Sequence, residues 1–233
     1  MKKAFAIALV LTVLLGGMLY SAAEKKEIKV FADMTDIPYG DKNKNVILKG
    51  NVRILHNDIT LKSEYVEYNK DKNTAFSPGK LFATAPEADI TADKGTGDFK
   101  NKIVKAEGNV SAVIRKSFTE NIRDPEKRAD VEKEITRDIT VTAGHGEYDY
   151  KARIITARDA VTIKEKDRVI LADSVTYDIK TEIFTLNGQV RGTDSAGQTF
   201  SSPGPVTVSV KEGNEYIKAP NAGISFFVEE DEE

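Results

Sequence analysis

The chain has 233 residues, 30% of them charged and 40% hydrophobic, with a formal net charge of −3. That balance is ordinary for a globular protein, and without an arginine-rich stripe it excludes nucleic acid as the main partner. Cysteine is absent, which excludes disulfides, thiolate metal sites and a lipid-modified N-terminal cysteine.

Residues 1–23 read as a signal peptide. Lys2 and Lys3 form a positive start, Ala4 to Leu19 an apolar core, and Ser21-Ala22-Ala23 a small-residue cleavage site. The competing reading is an uncleaved anchor, because the apolar run sits at the short limit of a spanning helix. Export places the mature chain in the periplasm. It is expected to form one β-domain over residues 24–228, followed by an acidic tail at 229–233.

Strands are expected wherever β-branched residues alternate with polar ones. Such runs are Ile28 to Ala32, Ile59 to Ser63, Ile139 to Ala143 and Arg168 to Ala172. A small or acidic marker follows each: Asp33, Glu64, Gly144 and Asp173, with Asp93 marking a further unit. Fifteen positions after Glu64, Asp93, Gly144 and Asp173 comes a turn residue, at Gly79, Gly108, Asp159 and Gly188; Asp33 leads more loosely to Gly50. An aliphatic stands two positions beyond each turn: Val52, Leu81, Val110, Val161 and Val190. Markers recurring about every thirty residues are the signature of stacked repeats, each burying its apolar face against its neighbours.

Inside the units, Tyr68-Asn69, Tyr148-Asp149 and Tyr177-Asp178 read as corners, with the tyrosine ring packed and its hydroxyl in water. Each unit is therefore predicted as strand, corner, short return strand and glycine turn. One longer step between markers predicts a charged insertion at 116–137. A sixth unit follows Gly188, with strand-like runs at Thr199 to Ser201 and Val206 to Val210 and a closing run that ends at Val228. In the fifth unit Val169 and Leu171 make both faces apolar, which predicts a covered outer face.

Catalytic constellations are missing. His56 and His145 lie in different units without a paired ligand motif, and the recurring acids match a structural turn role. No nucleotide-binding loop or nucleophile elbow occurs. The expectation is a non-enzyme with no cofactor and no metal. What remains is the apolar face. Ile28, Val30, Ile59, Leu61, Ile90, Ile139, Val141 and Ile170 would form one wall, and Val52, Ile54, Leu81, Val110, Val161 and Val190 the other. Periodicity alone leaves two arrangements open: a filled sandwich, or a gap beside the small residues Ala32, Ser63, Ala83, Ala92, Ala112, Ala143 and Ala172.

The runs Ala32-Asp33 to Gly50-Asn51-Val52, Ala92-Asp93 to Gly108-Asn109-Val110, and Ala172-Asp173 to Gly188-Gln189-Val190 resemble the OstA-like family. That family contains the periplasmic LptA-type proteins of lipopolysaccharide transport. Gly144 and Asp159 depart from its pattern, as does the insertion. The resemblance implies an all-β fold, an elongated, twisted, V-shaped β-jellyroll of stacked two-strand repeats. Its apolar groove would shelter the acyl chains of lipid A, with Ile28 and Val30 on the lipid-facing strand. The implied partners are lipopolysaccharide, other OstA-like domains and further copies of the chain joined head to tail. Candidate docking edges are the first strand, Ile28 to Ala32, and the last, Ile224 to Val228. An inner-membrane-anchored LptC-type component and a β-solenoid scaffold or polysaccharide binder are the alternatives.

Overall fold

The computed structural model describes residues 27–38, 45–115, 139–211, 213–214 and 216–225. The expected signal segment, the 116–137 insertion, the acidic tail and the end of the expected closing strand lie outside the described residues. Those described form an all-β protein, an 18-stranded sheet in which every pairing is antiparallel.

In chain order the strands are β1 (Ile28–Phe31), β2 (Met34–Asp36), β3 (Val46–His56), β4 (Ile59–Asn69), β5 (Thr74–Ser77), β6 (Leu81–Thr84), β7 (Ala88–Ala92), β8 (Lys94–Asp98) and β9 (Ile103–Ile114). The second half adds β10 (Ile139–Asp149), β11 (Ile154–Glu165), β12 (Arg168–Asp178), β13 (Ile183–Asn187), β14 (Val190–Thr193), β15 (Thr199–Ser202), β16 (Val206–Ser209), β17 (Tyr216–Lys218) and β18 (Gly223–Ser225).

The pairings sort into two ladders that share the six long strands. The first runs β1, β3, β4, β6, β7, β9, β10, β11, β12, β14, β15, β18. The second runs β2, β3, β4, β5, β8, β9, β10, β11, β12, β13, β16, β17. Each long strand gives one half to each ladder, so the two are joined along one side. Their strands alternate buried and exposed residues, and the buried faces contribute to one apolar cluster.

The crossing between ladders explains the fifteen-residue ruler. Pairing registers shift between Lys49 and Val52, between Ala143 and His145, and between Arg158 and Val161. These are bulges, which bend a strand and raise its twist. Gly50 has φ +71° and Gly108 φ +74°, each followed by an asparagine that is also left-handed. A Cβ on Gly50 would stand 2.5 Å from the Asp33 carboxylate, and one on Gly108 2.8 Å from that of Asp93. The marker acid thus lies over the glycine. Asp33 N–H donates to Gly50 O at 3.0 Å, and Asn51 Nδ2 donates to Asp33 Oδ2 at 2.7 Å. Asp93, Gly108 and Asn109 repeat both bonds.

The expected glycine turns need correction. Gly50 and Gly108 do not close turns; they sit inside strands of 11 and 12 residues. In the fourth unit the acid and the glycine have exchanged places. Asp159 takes the left-handed position at φ +71° and faces Gly144 across the bend. The second unit uses another device: Ser63 and Ser77 are buried with their hydroxyls 2.7 Å apart, and Ser63 donates to Lys80 O. At the expected corners, Asp149 Oδ1 accepts the N–H groups of Lys151 and Ala152, and Asp178 Oδ1 accepts those of Lys180 and Thr181. These carboxylates do cap turns. The expected cover over the fifth unit is not seen among the described residues, since Leu171 is 46% exposed.

Candidate functional site

All fourteen apolar candidates fall on the inner face of the first ladder. Ile28 and Val30 lie on β1, Val52 and Ile54 on β3, Ile59 and Leu61 on β4, Leu81 on β6, and Ile90 on β7. Val110 is on β9, Ile139 and Val141 on β10, Val161 on β11, Ile170 on β12 and Val190 on β14. The two expected walls are therefore one wall, because strands on either side of a hairpin turn pair directly: Ile54 sits beside Leu61, and Val141 beside Ile163. The opposing wall was missed. It is built by Val46, Leu48, Val66, Ala75, Val104, Ala106, Tyr148, Ile155, Ala157, Val175, Tyr177, Phe184, Leu186 and Val206. The signal was present in the sequence as period-two pairs such as Val46/Leu48, Val104/Ala106 and Phe184/Leu186.

Between these walls the interior is not uniform. Around β4 to β9 it is filled. A Cβ on Gly97 would come within 2.7 Å of Leu61 Cδ1, and one on Gly95 would strike Leu81 and the Lys105 carbonyl. These glycines let leucines of one ladder rest on the backbone of the other. Of the candidates, Val52, Ile54, Ile59, Leu61, Leu81, Ile90, Val110, Ile139, Val141, Val161 and Val190 are buried, while Ile28, Val30 and Ile170 are partly buried.

Polar bridges close the side opposite the bulges over the same stretch. His56 Nδ1 lies 2.8 Å from the Tyr150 hydroxyl, joining the β3 end to the β10–β11 turn. Arg153 pairs with Glu87 at 2.7 Å, and the Tyr148 hydroxyl donates to the other Glu87 oxygen at 3.1 Å. Phe99 packs edge-on against His56 with ring centroids 5.5 Å apart. The expected wet hydroxyl is therefore corrected for Tyr148, which is buried and bonded to Glu87, while Tyr177 is buried as a residue. Burial, and then the Glu87 carboxylate, push the Tyr148 hydroxyl far above the usual tyrosine range. Tyr150 and Tyr177 shift the same way, first through burial and then through nearby carboxylates. Tyr177 stacks on Phe184 with centroids 4.1 Å apart.

Beyond β10 the ladders part. A cavity of about 320 Å³ opens there, with Ile139, Ile163, Glu165, Arg168 and Ile170 on the first ladder's side. Phe184, Val208, Ser209, Val210, Tyr216 and Ile217 line the other side. Ile139 and Ile170 are the candidates that reach it. Its depth is aliphatic and aromatic, and its ionisable groups stand at the β11–β12 turn. Such a site can hold an apolar chain and leave a polar end in water.

His145 sits apart on the outer face of the second ladder, paired with Asp159, which also takes Arg158 at 3.2 Å. Among the described residues no group of three or more His, Cys, Asp or Glu side chains is placed to hold a metal ion. No helix among them is long and apolar enough to cross a membrane.

The fold and site define an all-β protein of stacked hairpins folded into two facing ladders, with an apolar cavity between them at one end. No family model matches the chain, and no curated protein matches it. Among solved structures it is similar to LptH of Pseudomonas aeruginosa, the LptA-homologous periplasmic component of a lipopolysaccharide transport device. That similarity covers 87% of this chain and 96% of the other, at 10% identity and a TM-score of 0.37.

Proposed function

We propose that this chain is a non-catalytic periplasmic carrier that shelters the acyl chains of lipopolysaccharide between its ladders, joined end to end with like domains between inner and outer membranes. The observation that carries the reading is an apolar interior that opens at one end of a stack whose terminal strands are unpaired on one side. Water penalises an exposed hydrocarbon chain of about a dozen carbons by roughly 10 kcal/mol, at ~0.8 kcal/mol per methylene. A protein that only covers that surface needs no reaction and no cofactor.

The ladder ends favour assembly. Among the described residues, β1, β2, β17 and β18 each pair with a single strand. Each ladder has twelve segments of alternating direction, so its first and last segments run opposite ways. A second copy set end to end therefore meets β18 with β1 and β17 with β2, antiparallel in both ladders at once. Phe31, Met34 and Ile37 are exposed at one end, and Ile217 and Ile224 at the other, where edge pairing would cover them.

Mass spectrometry of the protein purified from its periplasm tests the proposal. Co-purifying acylated glycolipid and a mature start at Glu24 are expected, with assemblies that lengthen with concentration in light scattering. A chain that still begins at Met1 would instead favour an anchored LptC-type role. A second reading, a stacked scaffold that carries nothing, is favoured by the close contact of Gly95 and Gly97 with Leu81 and Leu61. It predicts a protein free of lipid.

A further inference from the structure

The cavity beside β11 and β12 has a lip chemistry of its own. Arg168 opens β12 and lines the cavity mouth. Its register partner across the β11–β12 turn is Glu165, yet the two make no ion pair, and Arg168 has no carboxylate within 4 Å among the described residues. The cation that does bridge the ladders, Arg153, is held by Glu87. The remaining polar lining is Ser209 and Tyr216, while Ile139, Ile163, Ile170, Phe184 and Val208 form the depth. A guanidinium at the edge of a hydrocarbon-lined space is complementary to an anionic head on an alkyl chain.

Size limits how many chains fit. The cavity volume is about 320 Å³. At about 30 Å³ per water-sized group, it holds roughly ten such groups, the size of one medium-length alkyl chain. The bridges at Glu87–Arg153 and His56–Tyr150, with the leucine–glycine contacts behind them, keep the chain from running further toward β4.

We propose that this mouth is a site for one alkyl chain bearing an anionic head, a fatty carboxylate or an alkyl phosphate, with the head on Arg168. The inference rests on the carrier reading and narrows it to one chain per domain at this cavity. Calorimetric titration of the full mature chain with dodecanoate, dodecyl phosphate and decyl maltoside tests it. All three are expected to bind once per chain. Arg168→Gln weakens both anions about fivefold, in keeping with a solvent-exposed ion pair, and leaves the maltoside unchanged. Ile170→Asp weakens all three. The tighter of the two anions identifies the head as carboxylate or phosphate. Equal weakening of all three ligands by Arg168→Gln, no weakening of the anions, or uptake of several chains per protein would overturn the site. Should lipopolysaccharide co-purify while neither anion binds, the single-chain site is wrong and the carrier reading stands. If no amphiphile binds at all, both are wrong.

Discussion

The interior around β4 to β9 and the interior around β10 to β17 are made from the same repeat and end up opposite in kind. In the first, Gly95 and Gly97 remove side chains from the second ladder, and Leu81 and Leu61 fill the space. In the second, Phe184 of that ladder faces Ile139, Ile163 and Ile170 of the first across a cavity of about 320 Å³. The outer bridges follow the same division. Glu87–Arg153 and His56–Tyr150 cross the mouth beside the filled part. The same strand repeat thus encloses a filled interior at one end and a cavity at the other.

Substitutions that treat the two regions alike should break the comparison most visibly. Leu61→Asp buries a carboxylate in the filled part, where the residue is 4% exposed, and should cost at least about 4 kcal/mol, enough to abolish cooperative unfolding. Ile170→Asp, at the partly buried cavity wall, should cost about 1–2 kcal/mol and leave a folded chain. Thermal melts followed by circular dichroism separate the two. Gly95→Ala comes next. Its new Cβ would lie 2.5 Å from the Lys105 carbonyl, so chemical denaturation should show a loss of about 1–3 kcal/mol from overpacking. Gly192→Ala would not report on the ladders, because its neighbour there is Phe200 of the same ladder.

The bridges should contribute less. The Arg153 and Glu87 side chains are 37% and 22% exposed, so a double-mutant cycle with Arg153→Met and Glu87→Gln should give a coupling of about 1–2 kcal/mol. The gentlest probe is pH. Tyr148, Tyr150 and Tyr177 have folded pKa values above the unfolded value of 10.0. A tyrosine whose folded pKa is raised contributes stability that is complete below the unfolded value and lost as pH rises above it. Absorbance titration should therefore show these three silent through pH 10, ionising only with alkaline unfolding. Glu87→Gln should lower the Tyr148 value alone among them.

The strands were legible because alternation is local, and the markers were legible because their spacing is regular. The meaning of the ruler was not. Gly50-Asn51 reads like a turn until Asp33 is seen lying against Gly50 from another strand. That contact is tertiary, and no window of sequence contains it. The second wall was hidden for a related reason. Treating Tyr148-Asp149 and Tyr177-Asp178 as corners packed the tyrosine rings only locally, although Asp149 and Asp178 alone make the turns and the tyrosines belong to the second wall. The apolar candidates were found as a set but divided between two walls, since hairpin partners are indistinguishable from opposing layers when only period-two faces are known. Where the cavity would fall depends on the size of residues from both ladders together, Gly97 against Leu61 and Phe184 against Ile170, and so needed the register.

The central claim is that hydrocarbon enters between the ladders only where they part. Photo-crosslinking in living cells tests it most directly, with a photo-reactive phenylalanine placed at Ile170 and, separately, at Ile54. A lipid adduct at Ile170 and none at Ile54 is predicted. An adduct at Ile54, or adducts at neither position, in chains that fold and reach the periplasm, would contradict it.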